Sequence, residues 1–195
     1  MPEKISKICK ELKNVLPSKR YNHTLGVMYT ACSMAMCHGE DVVKAQYAGL
    51  LHDCAKYLSG EEKIELCKQN GISISSLEYK NTELLHAKVG ALFAEKKYGI
   101  TDNDILEAIR WHTTGKPDMT LLEQILFVAD YIEPNRKMLP NMETIRYYAF
   151  HNLSKCIVLI IENTLQYLEG KKGLVDETSQ ATYKFYKNME EYENE

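Results

Sequence analysis

The six cysteines, Cys9, Cys32, Cys37, Cys54, Cys67 and Cys156, form no CxxC pair. That removes support for a zinc ribbon or a redox dithiol. A disulfide framework is not expected either, because a chain of 195 residues with 45% hydrophobic content can build its own core. Several of the cysteines sit in apolar helical stretches, where the free thiol behaves as a small hydrophobe. Long apolar runs are missing too. The opening Met-Pro-Glu-Lys-Ile has no continuous apolar segment of the signal-peptide kind, and no stretch approaches membrane-spanning length. The expectation is a reduced cytoplasm and no membrane partner. Basic excess is also absent: 24 Lys and Arg stand against 27 Asp and Glu, a net charge of −3. This gives no footprint for a nucleic-acid partner, while a small anion held by a few local cations stays compatible. No alternating strand pattern, internal repeat, low-complexity tract or dividing linker interrupts the chain.

What is present is helical periodicity nearly throughout. Ile5, Ile8, Leu12 and Leu16 share one stripe that Pro17 ends. A helix is expected from about Arg20 to His38, stopped by Gly39. Asp41 is placed to cap the next, which carries Val42, Ala45, Ala48, Leu51 and Ala55 on one face. Ser59 and Glu62 have capping-box spacing for a short helix ending near Gly71, and the serine-rich stretch from Ile72 to Lys80 reads as irregular. Further helices are expected over Thr82–Tyr98, Asp102–Thr113, Leu121–Glu133, Met142–Phe150, Leu153–Leu168 and Glu177–Tyr192, with Thr101 and Thr120 as caps. The last reads as a solvated helix that frays. The fold class is all-α, a helical bundle.

Histidine is scarce, six in all, yet its placement is unusual. A lone histidine on an apolar helix is more often an ordinary core or surface residue. Here His52-Asp53 is an adjacent pair inside Ala48-Gly49-Leu50-Leu51-His52-Asp53-Cys54-Ala55-Lys56. Neighbours on a helix point about 100° apart, so both reach one centre only where that helix passes close beside it. His23, His86, His112 and Asp130 follow one per helix, the last three in apolar surroundings. Helix bundles build metal centres in their cores in this way, from ligands facing inward on different helices. A carboxylate after Leu126-Phe127-Val128-Ala129 is expensive to bury unless it is paired or metal-bound, a salt bridge or cap being the plainer account of Asp130. Imidazole with carboxylate suits borderline divalent ions such as iron, manganese, cobalt or zinc, and the two oxygens of Asp53 could bridge two of them. His38 and His151 fit caps or surface positions and are set aside.

The ordered set His23, His52-Asp53, His86, His112 and Asp130 resembles the HD superfamily of metal-dependent phosphohydrolases. Within it the chain is more similar to the YqeK family, which cleaves diadenosine tetraphosphate symmetrically. The blocks that carry the resemblance are Arg20 to Val27, Gly49 to Tyr57, Leu84 to Ala91, Ala108 to Lys116 and Ile125 to Arg136. They include His-Thr-Thr-Gly and Val-Ala-Asp-Tyr-Ile-Glu-Pro-Asn-Arg and span roughly residues 18–140, leaving helices over about 141–192 within a single HD domain of residues 1–195. An HD dipeptide alone is a weak motif; five blocks in order are a strong one. The resemblance implies one ion on His23, His52, Asp53 and Asp130, a second on Asp53, His86 and His112, and iron as the resident metal.

Around those ligands the cations make sense as phosphate contacts. Lys56 follows His52 by four residues and so shares its face on a helix, Arg20 precedes His23 by three, and Arg136 follows Asp130 after a Glu-Pro turn. Thr113, Thr114 and Gly115 offer hydroxyls and a close-approaching backbone directly after His112. Elsewhere Lys56 and Arg136 would be ordinary solvated cations. With Asp53 and Lys56 in catalytic roles, the expected chemistry is metal-assisted hydrolysis of a dinucleoside polyphosphate, two ions about 3.5–4 Å apart activating a water as hydroxide. Attack at an inner phosphorus, giving two ADP, is implied by the resemblance alone. Another HD nucleotide phosphohydrolase, such as a deoxynucleotidase or nucleotide pyrophosphatase, stays open, as does a non-catalytic metal- or nucleotide-binding module. Oligomeric state is left open, a homodimer included. Tyr21, Tyr57, Tyr131 and Trp111 are equal candidates for stacking on a base.

Overall fold

The structure, a computed structural model, describes residues 3–170 and 175–193, with side chains through residue 189. Among these it contains helices and no strand: α1 (Glu3–Val15), α2 (Ser18–His38), α3 (Val42–Leu51), α4 (Gly60–Gln69), α5 (Ser76–Lys80), a 3-10 turn (Thr82–Leu84), α6 (Leu85–Lys96), α7 (Asn103–Trp111), α8 (Leu121–Ile132), α9 (Met142–Tyr148), α10 (Leu153–Gly170) and α11 (Glu177–Glu193). No described helix is long and apolar enough to cross a membrane.

The helix ends follow local chemistry. Asp41 accepts from the backbone N–H groups of Val43 and Lys44, and Gly39 ends α2 in the left-handed region at φ 78°. Ser59 and Thr120 each close a full capping box, with Glu62 and Glu123. Such caps are worth about 1 kcal/mol apiece. Ahead of α7 the cap is Asp102, not the expected Thr101: its carboxylate accepts from the Asp104 N–H, and an ionised acceptor suits a helix N-terminus. The stretch expected to be irregular contains α5, whose Ser75–Glu78 box has the same spacing as Ser59–Glu62. The helix expected from Thr82 starts as a 3-10 turn and becomes α-helical only at Leu85.

A larger departure lies at the HD pair. Helix α3 ends at Leu51, and residues 52–57 form tight turns in which Cys54 donates to Leu51, Lys56 to Asp53 and Leu58 to Ala55. These i→i−3 bonds bring residues three apart onto one side. Lys56 is therefore not on one α-helical face with His52, and its ammonium comes out beside His86.

Helix α2 occupies the centre, packed along α3 and α8, while α7 wedges against α3, α6 and α8. The α2–α3 crossing is close because residue 49 is glycine: a Cβ there would lie 2.7 Å from the Met28 Cα. His23 on α2 and His52 after α3 are thereby held at one level of the bundle. Helix α11, expected to be solvated, docks instead. Thr182 and Tyr186 are buried, and the Met119 N–H donates to the Tyr186 hydroxyl at 3.0 Å. The backbone of α11 stays helical to Glu193, while Met1 and Pro2 fall outside the described residues. A second, smaller cluster of Ala55, Cys67, Leu85 and Val89 seats α4 on α6. The cysteines are all free; Cys54, Cys67 and Cys156 are buried, as small hydrophobes are, whereas Cys37 is exposed.

Candidate metal centre

Four imidazoles form a row in the bundle. Ring centroids run 5.3 Å from His23 to His52, 5.0 Å from His52 to His112 and 5.0 Å from His112 to His86. All four are buried, although they come from α2, the end of α3, α6 and the end of α7. Burying so many imidazoles together is costly unless each ring has a defined role.

Their tautomers follow from the partners of Nδ1. His52 Nδ1 lies 2.8 Å from the Gly49 carbonyl, His112 Nδ1 lies 2.7 Å from that of Ile109, and His86 Nδ1 contacts that of Glu83. A carbonyl only accepts, so in each ring Nδ1 carries the proton and Nε2 presents a lone pair. The His23 Nδ1 faces a carboxylate oxygen, Glu133 Oε1, at 3.0 Å, with the same consequence. The four lone pairs converge. His86 Nε2 and His112 Nε2 are 3.1 Å apart, while His23 Nε2 and His52 Nε2 are buried with no hydrogen-bond partner.

The carboxylates complete the arrangement. Asp130 Oδ1 lies 3.0 Å from His23 Nε2 and 3.9 Å from His52 Nε2. Asp53 divides its oxygens: Oδ2 is 3.4 Å from His52 Nε2 and 3.8 Å from His23 Nε2, whereas Oδ1 is 3.3 Å from His86 Nε2 and 4.0 Å from His112 Nε2. Two nitrogens each about 2.1 Å from one ion at a right angle would be about 3 Å apart, so these separations suit atoms that share a cation. The donors of His23, His52 and Asp130 all lie within 4.8 Å of one another, and so do those of His52, Asp53 and His112. The described residues thus fit a divalent ion in at least two overlapping ways. His52 belongs to both groups, whereas the resemblance assigned it to one ion.

Electrostatics favour neutral lone-pair donors at His86 and His112, whereas at His52 burial is outweighed by the Asp53 and Asp130 carboxylates, which raise the imidazole. Burial holds the His86 and His112 imidazoles down at about 3 and about 4, helped by His112 and His52 respectively. Burial works against an ionised Asp53, but the surrounding imidazoles of His52, His86 and His112 outweigh it and keep the carboxyl well below its usual range. For Asp130, burial is likewise overcome, here by the neighbouring His23 imidazole and the Arg136 charge.

The cations expected to touch phosphate surround the row. Arg20 Nη1 is 2.7 Å from Asp53 Oδ2, and Arg136 gives Nη2 to Asp130 Oδ1 at 2.7 Å and Nε to the Asp130 carbonyl at 2.9 Å. Lys56 Nζ lies 3.1 Å from His86 Nδ1, but that nitrogen already carries its proton, so the ammonium's charged partner is Glu83 Oε2 at 3.5 Å. Burial, with repulsion from Arg20, lowers the Lys56 ammonium below the usual lysine range. Thr113 Oγ1 stands 3.3 Å from both His86 Nε2 and His112 Nε2. Thr114 and Gly115 turn toward α11 instead, where the Thr182 hydroxyl reaches the Thr114 carbonyl and the Thr182 methyl fills the space beside Gly115.

A cavity of about 540 Å³ opens on the His23 side, lined by Lys19, Arg20, Glu133, Asn135, Arg136 and Lys137 among others. Trp111 lines a smaller one, of about 120 Å³, with Thr113 and Thr114. Sequence reasoning missed Glu133 and Glu83. Glu133 stands 110 residues from His23, just before a proline, where a helix-terminal glutamate looks unremarkable.

Comparison with known proteins places this geometry. The HD domain family model matches residues 20–135. The chain is 41% identical over 172 residues to a symmetrical bis(5'-nucleosyl)-tetraphosphatase of Halalkalibacterium halodurans, covering 88% of this chain and 91% of that protein. A protein of the same description from Staphylococcus aureus is 39% identical, at 87% and 86% coverage. A crystal structure of a predicted HD superfamily hydrolase involved in NAD metabolism from Clostridium acetobutylicum superposes with a TM-score of 0.91 at 40% identity, covering 94% of this chain and 97% of that one. Shared fold, ordered ligand blocks and near-complete coverage agree, and this chain belongs to the HD-domain family, among its symmetrical bis(5'-nucleosyl)-tetraphosphatases, the YqeK family.

Proposed function

We propose that this protein hydrolyses diadenosine tetraphosphate to two ADP at a two-ion centre held by His23, His52, Asp53, His86, His112 and Asp130. The observation that carries the reading is the division of Asp53, which turns one carboxylate oxygen to each half of the imidazole row. When bound, the ions supply Lewis-acid polarisation of a phosphoryl oxygen and bring a water into reach of ionisation at neutral pH.

The chain's own residues do the rest by positioning and by neutralising charge, which is most of what phosphoryl transfer asks of a protein. Arg20 and Arg136 present guanidinium groups at the mouth of the cavity, where a forked donor suits phosphate oxygens. Lys56, steered by Glu83, faces the His86 end of the row and so serves the phosphates lying over that half. Thr113 sets a hydroxyl between the His86 and His112 donors, within reach of a substrate oxygen. Burial of the row keeps bulk water away from the reacting phosphorus.

Iron is the proposed resident metal, on the family resemblance; the donor set accepts manganese, cobalt or zinc as well. The free state of the six cysteines supports a reducing cytoplasm. The same reading treats the chain as one HD unit, supported by α8, which carries Asp130 and also packs on α10. The test is product analysis with metal-loaded protein on a panel of diadenosine tetraphosphate, deoxynucleoside monophosphates and nucleoside triphosphates. ADP as sole product from the dinucleotide supports the reading; turnover of monophosphates in its place rejects it.

A further inference from the structure

The four imidazoles are not held alike. His52, His86 and His112 each give Nδ1–H to the backbone carbonyl three residues earlier, a local contact that comes with the turn. His23 alone among them gives it to a side chain, Glu133, from the end of α8. Glu133 is almost wholly buried at 1% exposure, and its second oxygen is claimed as well: the Asn135 N–H donates to Oε2 at 2.7 Å and the Asn135 side-chain amide at 3.0 Å. Space for it comes from α2, because a Cβ on Gly26 would lie 2.2 Å from Glu133 Oε2. A buried carboxylate is costly, so a site that makes room for one and satisfies both oxygens uses its charge.

We infer that Glu133 is a positioning residue that fixes the His23 ring through its Nδ1–H and gives the ion shared by His23, His52 and Asp130 a firmer hold than its neighbour has. A carboxylate behind a ligating imidazole fixes tautomer and ring orientation and strengthens the donor nitrogen, more than a carbonyl does. The inference rests on the two-ion reading and makes the two positions unequal: the Glu133-backed one fills first.

The conservative substitution E133Q is informative because glutamine cannot replace both functions. Its carbonyl oxygen can accept from His23 or from Asn135, and whichever it faces, its NH2 is turned toward a donor on the other side. The experiment is an anaerobic titration of chelator-stripped protein with Co2+, followed by calorimetry and by the visible absorption of the bound ion, alongside circular dichroism of the metal-free chain. Wild-type protein is expected to bind in two resolved steps. In E133Q the tighter step weakens by about 10- to 100-fold, with the second step and the metal-free spectrum unchanged. G26A, which removes no polar group, reproduces the same one-step defect by displacing the carboxylate. Unaltered steps in E133Q, or equal loss of both with an intact fold, overturns the inference. Failure of wild-type protein to bind any ion overturns the two-ion reading instead.

Discussion

His86 and His112 set their Nε2 atoms 3.1 Å apart, each with its proton committed to a backbone carbonyl on the far side of the ring. Neither nitrogen can donate to the other, so two lone pairs face across a buried gap. A cation removes that repulsion, and binding of an ion to the native state alone stabilises it by mass action. At a hundred times the dissociation constant the gain is about 2.7 kcal/mol. For a chain of this size that corresponds to roughly 5–10 °C in Tm. Calorimetric melts with chelator and with excess Mn2+ are expected to differ by this amount in wild-type protein and by far less in D53A, which loses the carboxylate facing both halves. Identical melts in wild-type protein would remove the metal centre.

The cations separate binding of metal from binding of phosphate. Lys56 lies against the edge of the His86 ring, 3.1 Å from Nδ1 and 3.5 Å from Nε2, and is not itself one of the proposed ligands. K56A is therefore expected to keep its metal content while kcat/KM falls about 10- to 100-fold, the loss of one charge-assisted contact worth about 1.5–3 kcal/mol. R136A is expected to show a similar fall with some metal loss added, because Arg136 also buttresses Asp130 through both its carboxylate and its carbonyl. Metal assay beside steady-state kinetics checks both. Full activity in K56A would move the substrate away from the His86 end.

Lys63 is fully buried, and its ammonium meets Glu83 Oε1 at 2.8 Å, while Glu83 also faces Lys56. Breaking a buried pair from one side typically costs 3–5 kcal/mol, but the Glu83 side chain is 61% exposed, so solvent screens much of that. E83Q is expected to lower stability by about 1–2 kcal/mol in urea denaturation and to loosen Lys56, raising KM more than it lowers kcat. A loss of stability alone, with kinetics unmoved, would separate the pair from the site.

The residues of the proposed centre were legible because rare residue types recur there in apolar surroundings, and a carboxylate such as Asp130, directly after four apolar residues, is costly to bury without a cation. The end of α3 was not, since periodicity cannot distinguish i→i−4 from i→i−3 bonding across His52 to Tyr57, and the Lys56 assignment changed with it. Helix α5 was visible in the Ser75–Glu78 spacing, but five residues carry too little periodicity to mark a helix. Glu133 and Lys63 escaped for a different reason. Their roles are set by partners 110 and 20 residues away, and Glu61-Glu62-Lys63-Ile64-Glu65 reads as a solvated face until α4 is seated on the 3-10 turn.

The position of bond cleavage tests the family assignment most directly. Diadenosine tetraphosphate has identical ends, so it can enter either way round, and one ion pair can address only one phosphorus at a time. If that atom is an inner phosphorus and ADP is the leaving group, the attacked half also departs as ADP. Hydrolysis in heavy-oxygen water then labels one ADP per turnover and leaves the other unlabelled, a one-to-one ratio readable by mass spectrometry. Attack at an outer phosphorus gives ATP and AMP, with label in only one of them. The cations point to the inner position: Arg20 and Arg136 lie on the His23 side of the row and Lys56 on the His86 side, so charge is available on both flanks of the ions. A phosphate chain bound at its middle needs such a two-sided arrangement, whereas one bound at its end would leave one flank facing a nucleoside. Half-labelled ADP is therefore the expected product, and ATP with AMP as first products would leave the metal ligands standing while rejecting symmetrical cleavage.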